Sequence, residues 1–275
     1  MTIEPAAEAL IAPSDGLPVA AEPRNLNGAI GLLSVLVFLT LWETAVTLGW
    51  IAPLFVSSPS RILIAGYGMF RDGRIFPDLA VSGEEFILGF GLAAGIGIPL
   101  GILMGWYTRL NAVLDPFVNA LYATPRIALM PLIIIWFGID LPAKIAIIFL
   151  SSVFPILVNT ITGVRTMERD FVKVARSFGA TDRQLFTTVA LPSSVPNLLT
   201  GVRLGLGHAL IGIVVGEMYG SSAGIGFMMQ TAGATFQTDK VMVGIAIIAA
   251  AGMGMTQMLK SLEKRFDSWR PDHHL

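Results

Sequence analysis

Apolar runs separated by short polar stretches set the plan of this chain. Runs at 30–50, 79–106, 113–138, 144–164, 197–218 and 241–260 reach the roughly 20 residues that an α-helix needs to cross a bilayer core. The pattern predicts an all-α integral membrane protein with about six transmembrane helices. Pro125 and Pro131 interrupt the third run, and a helix broken there frees carbonyls that only protein or a water-filled path can satisfy inside a membrane. Pro99 adds a kink to the second run, and Pro155 lies in the fourth. Gly91 and Gly95, then Gly97, Gly101 and Gly105, stand four apart and predict close helix packing. Between the first two runs, Ser58 can cap a helix that Pro59 begins. Ile62, Leu63, Met69 and Phe70 make that helix amphipathic, Asp72-Gly73 stops it, and it should lie along the interface. Residues 219–238, rich in Gly, Ser and Thr, predict an outer loop, with a re-entrant course as the alternative.

The longest polar segment between apolar runs is 171–192, FVKVARSFGATDRQLFTTVALP. Phe171, Val174, Ala175 and Phe178 fall at i, i+3, i+4 and i+7, one apolar stripe of a short helix. Lys173, Arg176 and Ser177 lie off the stripe. Gly179 supplies the left-handed residue that ends many helices. Thr181 with Gln184 fits a capping box for a second helix. Leu185, Phe186 and Val189 form that helix's apolar face, and Pro192 is expected to end it.

Composition narrows the class. The chain is 54% hydrophobic and 13% charged, with a mean hydropathy of +0.71; soluble globular proteins are about 25% charged. There is no cysteine, which excludes disulfides, thiolate metal sites and a cysteine nucleophile. A net charge of −1 without a basic run gives no reason to expect nucleic acid as a partner. Residues 1–28 are rich in Ala and Pro, with Glu4, Glu8, Asp15 and Glu22 against Arg24. They lack the positive start of a secretory signal and predict a flexible tail. Six spans with the N-terminus inside put Arg24, Arg109, Arg165, Arg169, Lys173, Arg176, Arg183, Lys260, Lys264, Arg265 and Arg270 in the cytoplasm. Arg61, Arg71, Arg74, Lys144 and Lys240 then lie outside, and eleven against five favours this orientation. It leaves 171–192 and both termini in the cytoplasm.

Ionisable groups within spans are the candidates for lining a path. Glu43 in the first span faces protein or water, or else reaches the headgroups near the outer end. Arg126 sits at the break in the third; the alternatives to a path role are a buried carboxylate partner or snorkelling. The fifth span carries Arg203, His208 and Glu217. Arg203 is close enough to the cytoplasmic end to snorkel. His208 is deeper, and a lone intramembrane His reads more readily as an interhelix hydrogen-bonder than as a substrate ligand. His273 and His274 are adjacent but too few for a metal site.

The block at 171–192 resembles the EAA loop of ABC importer permeases, E-A-A, three residues, Gly, nine residues, I-x-L-P. Lys173, Val174 and Ala175 stand at E-A-A, Gly179 at the Gly, and Val189, Leu191 and Pro192 at I-x-L-P. Lys replaces Glu and Val replaces Ala. The chain from about 51 to 269 is similar to the nitrate/sulfonate/taurine/bicarbonate branch of these permeases. The pieces that carry this are Ser58-Pro59, GIPLGILMG at 97–105, Pro125 with Ile127-Ala128, Pro131-Leu132 and Trp136-Phe137-Gly138. Pro155 with Asn159-Thr160, Gly201-Val202-Arg203, Glu217-Met218 with Gly224-Ile225-Gly226, and Leu262-Glu263 to Trp269 complete the set. Two departures are Glu84 and Glu85 after Ser82, where the branch commonly has Arg at the third residue, and Thr256, where it often has Asp.

The resemblance implies a type I ABC importer permease fold, with the loop at 168–192 docking into a cytoplasmic ABC ATPase as a coupling helix. It implies a homodimer in the bacterial inner membrane, two ATPase copies that bind ATP-Mg, and an extracytoplasmic solute-binding protein. Its domains would be the tail at 1–28, a permease domain at 29–262 and a cytoplasmic tail at 263–275. The chain has no G-x-x-x-x-G-K-[ST] and no cofactor of its own is expected, so it reads as a transport subunit rather than an enzyme. Two other classes are weaker. An ion-coupled secondary transporter needs mid-membrane carboxylates, for which only Glu43 comes near. An intramembrane enzyme needs a nucleophile–base set or metal ligands, and His208 has no partner by spacing. The solute would be a small anion of the nitrate, sulfonate or bicarbonate kind, or a related organic compound.

Overall fold

The computed structural model describes residues 24–167 and 169–263. Most of the tails expected at 1–28 and 263–275, with Lys264, Arg265, Trp269, Arg270, His273 and His274, lies outside the described residues. Two compact units divide at Trp50. The first carries α1 (Arg24–Thr47). Its outward side chains are almost all apolar, and Thr40, Thr44 and Thr47 return their hydroxyls to the carbonyls of Leu36, Thr40 and Glu43 at 2.7–2.8 Å, which keeps those donors satisfied away from water.

The second unit runs through α2 (Pro53–Val56), α3 (Pro59–Arg71), α4 (Ile75–Trp106), α5 (Thr108–Ala123), a 3-10 turn (Arg126–Leu129), α6 (Met130–Phe137) and α7 (Leu141–Arg165). It continues through α8 (Arg169–Ser177), α9 (Asp182–Leu185), a π turn (Phe186–Ala190), α10 (Leu191–Gly220), α11 (Ile225–Ala234) and α12 (Thr238–Glu263). Among the described residues, five helices are long and apolar enough to cross a membrane, and α5 with the segment 126–137, bent by 90°, is either a sixth, broken span or a re-entrant loop, which gives five to six spans. The span pattern predicted six.

α7 is the central helix, packed between α4 and α10. Both apolar clusters of the interior draw on it, one through Val153, Phe154, Ile156 and Leu157 and the other through Ile147 and Ile148. Small residues on its neighbours make this possible. On α4 the packed stripe is Gly89, Ala93, Gly97 and Gly101, all buried, with Gly105 continuing it half-buried; a Cβ added at Gly101 would stand 2.7 Å from the Cβ of Thr160. Gly91 and Gly95, expected in this role, have nothing within 4 Å. They lie two residues off the packed face, and a period of four read from sequence alone does not say which of two interleaved stripes meets a partner.

Four further expectations change. The segment 219–238 contains α11, a ten-residue helix packed against α10 and α12, so its glycines punctuate a helix rather than mark a loop. Pro192 does not end the helix before it. The Leu191 N–H bonds the Phe186 carbonyl, five residues back; this widened turn takes up the register change around a residue that lacks an N–H, and the chain runs on into α10. Ser58 stands at the start of α3 but makes no capping bond, its hydroxyl lying 3.1 Å from that of Ser60. Arg203 pairs with Glu263 at the end of α12 instead of reaching for headgroups.

Candidate functional site

The first helix of the polar hairpin, its turn and the cap of the second form as the sequence predicts, while the second helix runs through a π turn into α10. α8 closes in a Schellman motif, with Gly179 N–H on Arg176 O and Ala180 N–H on Ala175 O, at 2.9 and 3.0 Å, and Gly179 takes φ 78°. Thr181 and Gln184 form the reciprocal capping box at the start of α9. The two helices are treated differently by the rest of the fold. α9 and the π turn are anchored: Leu185 and Ala190 are buried, and the Phe186 ring meets Trp106 of α4 edge-on at 5.0 Å. α8 is presented: its predicted apolar stripe is unpartnered, with Phe171 56%, Val174 54% and Phe178 88% exposed. Lys173 pairs with Asp170, and Arg176 with Asp182, both at 2.8 Å and both exposed. Val189, Leu191 and Pro192 lie half-buried where the hairpin enters α10.

The second site is the break between α5 and α6. Thr124 and Pro125 are extended, the conformation that proline enforces on the residue before it. Arg126 fills the break. It donates to the freed Tyr122 carbonyl at 3.0 Å, and its guanidinium lies 5.3 Å from the Tyr122 ring centroid and 5.8 Å from that of Phe154. Of the two alternatives to a path role, a carboxylate partner is not found for Arg126 among the described residues. His208 of α10 lines the same small cavity as Arg126, so the fold joins two residues 82 positions apart in the chain. Glu43 is half-buried on α1 and belongs to the other unit.

Glu217 belongs to a third group, which sequence reasoning missed. It is fully buried, accepting from Ser82 Oγ and from the Gly226 N–H, each at 2.5 Å. Ser82 Oγ accepts from the Ile225 N–H and Asp78 Oδ1 from the Gly224 N–H, both at 2.9 Å. The first amides of α11, which no helical carbonyl can reach, are thus bonded by side chains of α4 and α10. Gly224 at φ 111° abuts the Glu217 carboxyl, where a Cβ would collide with it. Beside this, Lys144 Nζ donates to Glu85 Oε1 at 2.7 Å and to Ser221 Oγ at 2.8 Å. In the sequence Glu85 stands out only as a departure from a family pattern, and Lys144 reads as an outer-loop charge. Nothing local to either marks them as partners across 59 residues.

The described residues thus form an almost all-helical, multi-span arrangement that presents one apolar-faced hairpin, the architecture of a membrane protein. The model for the family described as "Binding-protein-dependent transport system inner membrane component" matches residues 97–268; the chain belongs to this family. It is 36% identical over 251 residues to the taurine transport system permease protein TauC of Escherichia coli (strain K12), covering 90% of each chain. It is 37% identical to a putative aliphatic sulfonates transport permease protein, SsuC, of Bacillus subtilis, covering 87% of each. Similarity also extends to the formylaminopyrimidine transport permease protein ThiX of Halalkalibacterium halodurans, at 31% identity over 90% of this chain and 98% of that one. Among solved structures, a chain of an amino acid ABC transporter shares the fold with a TM-score of 0.58 and 17% identity, over 72% of this chain and 97% of its own. The protein is therefore a multi-span inner-membrane permease subunit of an ABC importer. Such subunits work with a cytoplasmic ATPase and a binding protein.

Proposed function

We propose that this subunit forms, as a homodimer, the membrane path of an importer for a small organic sulfonate or a related anion. The observation that carries the mechanical part of the reading is the unpartnered apolar face of α8, with Phe178 88% exposed on a hairpin whose other helix is anchored. An apolar stripe of this kind, rimmed by paired charges, fits the groove of a partner better than water. Two ATPase copies would grip it through Lys173, Val174, Ala175 and Gly179, with Val189, Leu191 and Pro192 passing the motion into α10. ATP-driven closure of the ATPases would tilt the spans and open the path outward, and release of ADP and phosphate would reverse it. Arg126 and His208 would line that path, while Glu217 would hold α11 in place. The sulfonate relatives support the solute class, and the absence of a carboxylate partner for Arg126 among the described residues is consistent with an anion.

The same reading has the N- and C-termini in the cytoplasm. Lys144 drops out of the outer charge count, because it is spent in a buried pair, and the inward bias grows. The test is to co-purify the chain with its ATPase, reconstitute the complex in liposomes with the binding protein, and follow ATP-dependent uptake of labelled taurine, ethanesulfonate and formylaminopyrimidine. Sulfonate uptake coupled to hydrolysis is the expected result. Failure of any ATPase to co-purify would overturn the coupling role, and uptake of formylaminopyrimidine alone would overturn the solute class.

A further inference from the structure

The cavity at the α5–α6 break is bounded by Pro125, Arg126 and Ile127 on one side, Ser151 of the buried α7 on another, and His208 and Ile211 of α10 on the third. Its volume is about 160 Å³, room for about five waters at roughly 30 Å³ each and so for a small organic anion. Its chemistry is one-sided. Three donor side chains from three separate elements converge on it, the other walls are apolar, and no acidic residue lines it.

Arg126 is the decisive member. A terminal nitrogen donates to the Tyr122 carbonyl, and the guanidinium carbon lies over the rings of Tyr122 and Phe154. Its Nε is buried and has no hydrogen-bond partner among the described residues. A buried, unpaired donor on a cation that also lacks a carboxylate is a costly arrangement in a membrane interior unless something mobile completes it. Water can bond to Nε but cannot neutralise the charge. An anion does both, and a guanidinium presents its donors in the plane that an oxyanion's oxygens fit.

We propose that this cavity is a transient seat for a sulfonate-sized oxyanion within the permease itself. Arg126 carries the charge recognition, the His208 imidazole and Ser151 hydroxyl offer further donors, and Ile127 and Ile211 border the organic part. This deepens the anion-import reading above and rests on it for the direction of travel. A seat of a few donors, open on one side, suits a path in which a solute must enter favourably and still leave. It also gives the membrane subunit a say in selectivity after the binding protein has released its cargo.

The experiment uses the permease–ATPase complex without binding protein, in a neutral detergent, titrated with ethanesulfonate by calorimetry. The wild type is expected to bind saturably. Arg126→Ala should weaken binding at least about tenfold, the loss of one charge-assisted contact. Arg126→Lys should fall between, keeping the charge but losing the fork. Ser151→Ala provides a milder second variant, expected to weaken binding severalfold, should Arg126→Ala not assemble. Equal affinity in the wild type and both Arg126 variants would overturn the seat. Saturation by tetraethylammonium as readily as by ethanesulfonate would overturn it too. A lipid headgroup phosphate shares the anion chemistry, so phosphatidylglycerol is added in a further arm; abolition of ethanesulfonate binding by that lipid would assign the site to lipid and overturn the solute seat. The two readings fail separately. Sulfonate uptake with unchanged KM and unchanged binding in Arg126→Ala sinks the seat and leaves the importer standing. Saturable, Arg126-dependent ethanesulfonate binding in a complex that transports only formylaminopyrimidine sinks the solute class and leaves the seat.

Discussion

Gly101 and Gly95 look alike in sequence, each one member of a four-residue spacing, yet their surroundings differ. A Cβ at Gly101 would meet Thr160 Cβ at 2.7 Å and the Leu157 carbonyl at 2.9 Å, whereas at Gly95 it would meet nothing within 4 Å. Gly101→Ala should therefore destabilise the helix pair by about 1–3 kcal/mol, and Gly95→Ala should stay within about 0.5 kcal/mol of wild type. Thermal unfolding in detergent reads both, and equal midpoints would contradict the packing. The buried pair gives a second contrast. Lys144→Met strands the Glu85 carboxylate, whose side chain is 1% exposed; removing one partner of a buried pair costs about 3–5 kcal/mol. Adding Glu85→Leu should recover most of that loss, because an apolar replacement of both partners is often neutral. A double variant no more stable than Lys144→Met would show that the loss is not electrostatic. At this scale the sequence identifies residue types but not encounters: Glu85 stands out only as a departure from a pattern, Lys144 reads as an ordinary outer charge, and the fold pairs them.

Elements were more legible where the signal is local. The end of α8 at Gly179 and the capping box of Thr181 with Gln184 depend on neighbours a few residues away, and both form as read. Pro192 misled because a proline stops a helix only if the turn before it stays α-helical. Here the turn widens, with the Leu191 N–H reaching Phe186, and the helix survives. The hairpin's conformation and its apolar stripe can be tested apart. Gly179→Val forces a β-branched residue into φ 78°, so it should disorder the hairpin and abolish ATPase capture while the protein still inserts. Phe178→Asp leaves the turn intact and charges the most exposed point of the stripe; it should weaken ATPase capture by about tenfold, if one central apolar anchor of an interface is removed. Pull-down at wild-type yield for both variants would rule out this hairpin as the grip.

For the whole molecule, the absence of cysteine makes topology directly measurable. A single cysteine at Thr187, exposed on the π turn, should react with membrane-impermeant maleimide only in inverted vesicles, and one at Gln237, exposed between α11 and α12, only in intact cells. The reverse pattern would turn the subunit over and remove the hairpin from any cytoplasmic partner. What the sequence by itself determined is whatever follows from the length, polarity and spacing of contiguous residues: six apolar spans, the break at Pro125, the capped hairpin, and the membrane as solvent. These are strong because desolvating a backbone amide in lipid leaves the chain few choices besides helix. Only the tertiary structure decided which face of α4 meets α7, that Arg126 and His208 share a cavity, and that Ser82 and Glu217 bond the first amides of α11. Those outcomes depend on the rotation of each helix about its axis. A helix apolar all round carries little record of that angle, and it is settled only when glycine finds a close neighbour and a buried charge finds its partner.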